Sequence, residues 1–341
     1  MNLRIFGLVA GIVFLLSGWG CGSRKDEATD QQKPAVEKAS LPRELQELNA
    51  GIQKDSTNAT LYYKRACYFL NKREFNASLL DMSKVMRLDS MKPAYYITIS
   101  DIYLYGNHTS KSKDALEKCL SIEPENTEAL IKLAQLYFFV KKYQESINCI
   151  NSALKVDAHI AKGYFLKGLD YKEGGDTAKA ISNLVTATEQ DPEYFSAFEE
   201  LGVIYAAKKN KLAVSYFDNA LALEPANADL LYSKSKFYQD IRDWDDAISN
   251  YQDLLKKVPG YKHAYFNLGA VYLAGKKNYD EAIRQFTEAI KIDSRYSDAY
   301  FARGTSYAQK GDNVSAKADY QKCLQLDPNY QAAEEALKEL P

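Results

Sequence analysis

Apolar and aromatic residues recur along this chain in a pattern that repeats about every 34 residues. Eight copies fill residues 59–330, with start-to-start spacings of 34 residues except for one of 33 and one of 35. A fixed period of this size predicts a stack of identical supersecondary units. The copies span residues 59–92, 93–126, 127–160, 161–194, 195–227, 228–261, 262–296 and 297–330.

The first half of each copy has the period of an amphipathic helix. Counting from the first residue of a copy, position 4 is large, position 8 is small and position 11 is aromatic, as in Phe198, Gly202 and Tyr205. These positions share one helical face. The small residue lets another helix approach closely, so a bulky side chain at Gly202 or Gly269 is expected to overpack the core.

The second half of each copy predicts another helix. Position 20 is Ser or Ala, position 24 is mostly large and position 27 is mostly small, as in Ala180, Leu184 and Ala187. Proline stands at position 32 in five copies, where it interrupts the helical pattern because it has no N–H to donate. Each copy is therefore interpreted as two helices. The five prolines are Pro124, Pro192, Pro225, Pro259 and Pro328.

Together these positions resemble the tetratricopeptide repeat, whose signature places an aromatic residue, Leu-Gly, Tyr, Ala, Phe and Pro at fixed offsets. The first copies depart from it, with serine at position 20. The resemblance implies an all-α fold, an α-solenoid that forms a right-handed superhelix of about eight helix-turn-helix repeats. The closest stretches are Phe198-x-x-Leu201-Gly202-x-x-Tyr205 with Ala213, Phe217 and Pro225, and Tyr265-x-x-Leu268-Gly269-x-x-Tyr272 with Ala282 and Phe286.

Capping helices are expected at both ends, because the terminal units of a stack must present a polar outer face. Residues 42–58 are predicted to form an N-terminal capping helix that buries Leu45, Leu48 and Ile52. Residues 331–341 are predicted to form a C-terminal capping helix.

The family resemblance implies that the first helix of each repeat lines a concave groove, chiefly through positions 2, 5, 9, 12 and 13. Position 5 is large and apolar in seven of the eight copies, which the packing face at positions 4, 8 and 11 does not require. We therefore expect an exposed apolar stripe that binds a partner. The stripe, with two neighbours at positions 12 and 13, comprises Tyr63, Ile97, Ile131, Phe138, Phe139, Phe165, Tyr232, Phe266 and Phe301.

An alternative interpretation is that the neighbouring repeat partly buries position 5. Charged residues such as Lys172, Glu199 and Lys236 interrupt the stripe near its middle. They favour a partner segment, extended or helical, with a mixed polar and apolar face. The Lys/Asn/Arg clamp with which chaperone-binding members of the family hold a terminal carboxylate is not visible, so that ligand is not inferred.

Residues 1–20 are predicted to be a signal peptide. They carry one positive charge, Arg4, and an apolar run from Ile5 to Leu16, which is short against the ~20 apolar residues of a membrane span. Cys21 follows directly, an arrangement that resembles a bacterial lipoprotein signal, in which the cysteine is lipidated. Gly18 stands where that motif usually has leucine, so ordinary secretory cleavage and an uncleaved membrane anchor are the alternatives.

Residues 21–41 are predicted to be a disordered tether that follows the lipidated cysteine. Their composition is rich in Lys, Asp, Glu, Gln and Ala and poor in large apolar side chains. Lys25-Asp26-Glu27 resembles the surface-export signal of lipoproteins in Bacteroidetes, with a plain solvated linker as the alternative. The expected location is the bacterial cell envelope, as an outer-membrane lipoprotein that faces the periplasm or the cell surface.

Three tripeptides resemble the Asp-Ser/Thr-apolar O-glycosylation motif of the same bacterial group. Their hydroxyl residues are Ser56, Ser90 and Thr177, and all three fall at predicted turns. Because Asp-Ser is also ordinary turn chemistry, the tripeptides have a structural interpretation as well.

The residues that carry chemistry form no recognisable constellation. Lys and Arg (44) and Asp and Glu (45) are scattered along the chain, which gives no basic face of the kind that nucleic-acid binding needs. The three histidines and five cysteines have no catalytic or metal-ligand spacing. Cys119 and Cys323 fall at the small position 27, where packing is the expected role. We predict no catalytic site, no metal, no cofactor and no nucleic-acid partner.

These observations predict a non-catalytic scaffold, tethered to the membrane by its N-terminal lipid, that binds a protein or peptide in its concave groove. A first alternative is an outer-membrane assembly factor that uses its convex face or its ends. A second alternative, from another class, is a subunit of a complex that processes cell-wall material or glycans.

Overall fold

The computed structural model describes residues 41–340, all of which lie in helices or the turns between them. Eighteen α-helices follow one another along this part of the chain, and a short π-helical segment, Val271–Lys276, extends α14. The helices are α1 (Arg43–Lys54), α2 (Ala59–Asn71), α3 (Phe75–Leu88), α4 (Pro93–Tyr105), α5 (Thr109–Ile122), α6 (Thr127–Phe139), α7 (Tyr143–Val156), α8 (Ala161–Glu173), α9 (Thr177–Gln190), α10 (Phe195–Ala207), α11 (Leu212–Leu223), α12 (Ala228–Asp240), α13 (Trp244–Lys257), α14 (Lys262–Ala270), α15 (Tyr279–Ile292), α16 (Ser297–Lys310), α17 (Asn313–Leu326) and α18 (Gln331–Glu339).

The even-numbered helices from α2 to α16 begin at the residue that opens each sequence repeat. Several of these starts have a recognisable cap. The side chains of Asn58, Asn126 and Asn227 accept hydrogen bonds from backbone N–H groups of the first turn, which have no partner inside the helix. Pro93 occupies the first turn of α4, where a missing N–H costs nothing.

The helices form two layers. Each helix packs against its neighbours along the chain, and the closest contacts between other helices join first helices of adjacent repeats, namely α2 with α4, α6 with α8 and α10 with α12. The first helices therefore form the inner, concave layer of the solenoid, and the second helices form the outer, convex layer.

Small residues at position 8 and large residues at position 24 interlock between the two layers. A Cβ atom on Gly202 would lie 2.5 Å from the ring of Phe217, and one on Gly269 would lie 2.7 Å from Phe286. These rings fill the space that the missing side chains leave. Overpacking at such a site costs roughly 1–3 kcal/mol, which explains why glycine stands there.

The two repeats of unusual length absorb their extra or missing residue in local helix geometry. In the 33-residue repeat, the N–H groups of Ala213 and Val214 bond to carbonyls three residues back, which tightens the first turn of α11. In the 35-residue repeat, the π-helical segment Val271–Lys276 accommodates the insertion. Buried positions on either side therefore stay in phase, so the stack continues without a break.

The two end repeats share a buried ion pair that the inner repeats lack at the equivalent positions. Arg65 donates to both carboxylate oxygens of Asp81 at 2.7 Å, and Arg303 donates to both oxygens of Asp319 at 2.7 and 2.8 Å. Repeat 3 has Leu133 at the position of the arginine. Bidentate pairs of this kind fix the relative placement of two helices as well as neutralising the buried charge.

Both ends of the stack are covered by a single helix. Leu45 and Ile52 of α1 are buried against the first repeat, and Leu48 is half-buried. At the other end, Ala333 of α18 is fully buried against α17.

Candidate functional site

The candidate site is the concave face, which is built from the first helices of successive repeats. Side chains bridge these helices by hydrogen bonds from one repeat to the next. Tyr63 and Thr98 join their hydroxyl oxygens at 3.1 Å, and Lys132 donates to the carboxylate of Asp101 at 2.7 Å. The face is therefore braced along its length.

The same bracing continues in the second half of the array. Lys172 donates to Glu200 at 2.6 Å, and the side-chain amide of Asn267 donates to the hydroxyl of Tyr232 at 2.8 Å. Each bond joins helices that are a repeat apart in sequence. A surface fixed in this way needs little further ordering when a partner binds.

Position 5 was expected to form an exposed apolar stripe, and this expectation is wrong because its side chains are buried or half-buried. Ile97 and Ile131 are buried, with 8% and 6% of their surface accessible, and the other apolar members are half-buried. The physical reason is that Tyr63 packs against Tyr95 of the next repeat, whereas Phe165, Phe266 and similar rings pack against a tyrosine in the turn that leads to the following helix. A role in partner binding stays a prediction for Tyr63, Ile97, Ile131, Phe165, Tyr232, Phe266 and Phe301.

A tyrosine at the last position of its repeat covers four of these side chains. The ring of Phe165 lies 5.1 Å from that of Tyr194, at an interplanar angle of 39°. The pairs Tyr232–Tyr261, Phe266–Tyr296 and Phe301–Tyr330 repeat this geometry at 5.5, 5.2 and 5.1 Å, each at 38°. Burial raises the pKa of Tyr194 to about 12. The recurrence of tyrosine at the end of a repeat is visible in the sequence, and this contact could have been predicted from it.

The apolar side chains that do reach solvent on this face are few. Phe139 is 51% exposed and its neighbour Phe138 is half-buried against Tyr143, with ring centroids 6.0 Å apart. Tyr105, at the equivalent position of the preceding repeat, is 54% exposed, and Val203 in repeat 5 is 43% exposed. The exposed part of the groove is therefore mainly polar, with isolated apolar contacts.

Charged groups occupy the middle of the concave face. Burial raises the pKa of Glu199, and the nearby carboxylates of Glu200, Glu224 and Asp229 raise it further. In the neighbouring repeats, burial and then repulsion by Lys132 lower the pKa of Lys162. The centre thus presents both signs of charge, as the mixed-face expectation requires.

The other candidate residues are spread over the molecule. Ser56 and Ser90 are exposed in turns, and Thr177 is the half-buried first residue of α9. The preceding aspartates accept backbone hydrogen bonds, such as Thr57 N–H to Asp55 at 3.0 Å, so turn chemistry accounts for them. Modification at these hydroxyls stays a prediction, and Cys21 lies outside the described residues.

The cysteines of the described chain are all free thiols. Cys119 and Cys323 are fully buried, and burial raises the pKa of each thiol to about 11, so both serve packing. Within residues 41–340, no group of three or more His, Cys, Asp or Glu side chains is placed to hold a metal ion. None of the described helices is both long and apolar enough to cross a membrane.

Models of the tetratricopeptide repeat match most of this array, at residues 93–126, 127–159, 165–228, 238–294 and 297–330. Among curated proteins, tetratricopeptide repeat protein 6 of Homo sapiens is 21% identical over 268 residues, covering 67% of this chain and 52% of that protein. A BBSome complex member homolog of Drosophila melanogaster is 24% identical over 145 residues, covering 42% and 30%. The chain spans about half or less of the length of these relatives.

Two solved structures have a similar arrangement of helices. The C-terminal part of a TPR repeat-containing protein from Cytophaga hutchinsonii aligns with a TM-score of 0.64 at 18% identity, covering 72% of this chain and 99% of that one. PilF from Pseudomonas aeruginosa aligns with a TM-score of 0.53 at 15% identity, covering 64% and 99%. At these identities the similarity shows the fold.

Proposed function

Because the chain belongs to the tetratricopeptide repeat family, we propose that it is a non-catalytic scaffold whose concave face binds a segment of a partner protein. Proteins of this family are generally protein-interaction scaffolds. The observation that carries the proposal is the bracing of the concave face from Tyr63 to Asn267 by bonds between repeats. A long, preorganised surface loses little conformational entropy when a partner segment binds along it.

The chemistry of the face indicates the kind of segment that it fits. Ion pairs such as Lys132–Asp101 and Lys172–Glu200 line it, and Val203 adds an exposed apolar contact. An extended or helical segment with alternating polar and apolar side chains matches this distribution. A uniformly apolar helix does not, because it would leave the charged groups without water or a partner.

Filling the groove is expected to weaken partner capture without unfolding the protein. We choose Ala94→Arg, Val203→Arg and Ala207→Arg, since all three residues are exposed on first helices and arginine is a good helix former. Alanine at the stacked rings of position 5 would instead damage the packing between repeats. Affinity capture from native membranes, followed by mass spectrometry, is expected to show at least about a tenfold loss of the specific partner.

The matched control places three arginines on the convex layer. Leu80, Leu212 and Val314 are 71%, 49% and 84% exposed on second helices, so Leu80→Arg, Leu212→Arg and Val314→Arg add the same charge there. Circular dichroism checks that both variants keep their helicity. Equal capture by both variants and the natural protein contradicts the groove model. Loss only in the convex variant supports an assembly factor that uses its outer face.

We further propose that the scaffold is held in the bacterial cell envelope by lipid on Cys21. The support is the apolar run Ile5 to Leu16 directly before a cysteine and the charged segment after it. Cys21→Ala is expected to release the protein from sedimented membranes into the soluble fraction, because one substitution removes the attachment site. Full retention of the variant on membranes contradicts lipidation and supports an uncleaved N-terminal anchor.

A further inference from the structure

Two kinds of turn line opposite edges of the solenoid, because consecutive helices run antiparallel. The turns inside repeats form one edge, which we call the inner-turn edge: residues 72–74, 106–108, 140–142, 174–176, 208–211, 241–243, 277–278 and 311–312. The turns between repeats form the opposite, junction edge: residues 89–92, 123–126, 157–160, 191–194, 224–227, 258–261, 293–296 and 327–330.

The two edges carry opposite charge, although the chain as a whole has a formal net charge of −1. The junction edge has nine acidic residues and two basic ones, whereas the inner-turn edge has nine basic residues and four acidic ones. The basic residues of the inner-turn edge are Lys72, Arg73, Lys141, Lys142, Lys208, Lys209, Lys211, Arg242 and Lys277.

Turn chemistry explains the acidic edge. In five junction turns an aspartate accepts a hydrogen bond from the backbone N–H two residues later, as Asp157 does from His159 at 2.8 Å and Asp327 from Asn329 at 3.0 Å. This local bond is the usual reason for aspartate in a turn. Five of the nine negative charges on the junction edge therefore have a role within the fold.

The basic edge has no such explanation. Each inner turn places one residue at positive φ, a conformation that favours glycine or asparagine. Only three repeats use glycine or asparagine there, whereas the other five use lysine or arginine against the preference of the backbone. The five residues, with φ between 50° and 61°, are Arg73, Lys141, Lys209, Arg242 and Lys277.

Most of these charges are also unneutralised. Lys142 and Lys211 approach Glu145 and Asp243 at 4.0 and 3.7 Å. The other seven basic residues of the inner-turn edge form no ion pair with any residue between 41 and 340. Since no carboxylate of the described residues pairs with these seven, they are available to an anionic surface outside the molecule.

Apolar side chains stand beside the basic groups in the N-terminal repeats. Phe139 and Val140, 51% and 52% exposed, directly precede Lys141 and Lys142 in the chain, and Tyr105 is 54% exposed at the end of α4. Aromatic rings combined with lysines are the composition that settles at the interface between water and lipid head groups. Nucleic acid or an acidic protein would complement the positive charge of this edge, but neither would need the exposed apolar side chains beside it.

We propose that the inner-turn edge of repeats 1 to 3 rests on an anionic phospholipid surface, with Lys72, Arg73, Lys141 and Lys142 on the head groups and Phe139 and Val140 at the interface. The orientation relies on the proposed tether, which would place the N-terminal repeats nearest the membrane. Docking in this way leaves the concave face of the later repeats open to a partner.

Binding to vesicles tests the proposal. The full chain carrying Cys21→Ala, which lacks the lipid, is mixed with vesicles of phosphatidylcholine or of phosphatidylcholine with about one third phosphatidylglycerol. We expect binding to the anionic vesicles to be at least about tenfold tighter and to weaken as salt is added, because the attraction is electrostatic. If the protein bound instead through an uncleaved apolar N-terminal segment, it would bind both kinds of vesicle equally. A preference for the anionic vesicles therefore tests the basic edge separately from the proposed lipidation of Cys21.

Reversing the charge of the inner-turn edge tests whether this edge causes the preference for anionic vesicles. The variant Lys72→Glu, Arg73→Glu, Lys141→Glu and Lys142→Glu is expected to lose the preference for anionic vesicles. The matched control, Lys118→Glu, Lys155→Glu, Lys256→Glu and Lys317→Glu, reverses four exposed lysines on second helices and is expected to keep it. Equal loss in both variants overturns the proposal, as does binding to a DNA duplex at the same salt that is as tight as binding to the anionic vesicles.

Discussion

Asp170→Leu is expected to stabilise the protein, and the gain is expected to grow as the pH rises. Asp170 lies in α8 at position 10 of repeat 4, with 1% of its surface exposed. Neither of its carboxyl oxygens, nor the neighbouring Oγ of Ser146, has a hydrogen-bond partner among the described residues. Other repeats have an apolar residue at this position, such as Leu136 and Ile204, so leucine fits the site.

The pH dependence follows from the burial of this carboxyl group. Burial raises the pKa of Asp170 from 3.8 to about 7. The folded-state pKa lies above the unfolded value, so the unfolded chain releases the proton first as the pH rises. The free energy of unfolding therefore falls by on the order of 4 kcal/mol as the pH rises from about 4 to about 7. Above pH 7 it stays at the lower value.

Urea denaturation of the natural protein and of Asp170→Leu, at about pH 5 and pH 8.5, checks this result. The difference in the free energy of unfolding between the two proteins is expected to be much larger at the higher pH. Hydrogen exchange should locate the change at the contact of α7 with α8, since repeat arrays open locally. Asp114→Leu, at an exposed site in α5, is the control and should show no such pH dependence. If Asp170→Leu raises the free energy of unfolding by the same amount at both pH values, the pH dependence does not come from Asp170.

Arg303→Leu is expected to lower the free energy of unfolding by about 3 kcal/mol, the second large effect. The guanidinium of Arg303 satisfies both carboxylate oxygens of Asp319, which has only 6% of its surface exposed, and it also donates to Thr287 at 3.0 Å. Leucine would leave the carboxylate buried without a partner. The loss in the free energy of unfolding comes more from the unpaired, buried carboxylate of Asp319 than from the loss of its attraction to Arg303.

The double variant Arg303→Leu with Asp319→Ala separates these two terms. Repeat 2 has Ile99 and Ala115 at the same two positions, so an apolar pair is compatible with the fold. We expect the double variant to recover most of the lost stability in thermal and urea denaturation, because no charge then remains buried. A double variant as unstable as Arg303→Leu would show instead that the ion pair itself holds α16 and α17 together.

The fold was predictable from the sequence because each packing position recurs eight times. Gly202 and Phe217 are single residues, but their equivalents in other repeats show that one position is small and another large. Repetition in this way substitutes for a comparison with other proteins. The same reasoning placed Leu45 and Ile52 on the buried face of α1, because the helical period alone assigns a face.

The candidate site was less predictable, and position 5 shows why. Periodicity places Phe165 and Phe266 on the concave side of a helix but does not say what the next repeat brings against them. Tyr194 and Tyr296 come from the turn that precedes the next first helix, and only the approach of two repeats puts the rings 5.1 and 5.2 Å apart. Exposure therefore depends on contacts between repeats, which a one-dimensional pattern does not contain.

The sequence by itself determined the helices, their order, their buried faces and which repeats carry the insertion and the deletion, because these properties are local and repeat along the chain. Only the tertiary structure decided which apolar residues of the groove remain exposed. It also sorted the scattered charges into a basic and an acidic edge and left Asp170 buried without a partner. The physical reason is that burial and electrostatic potential depend on groups brought together from different repeats, through side-chain packing that the period of the sequence does not specify.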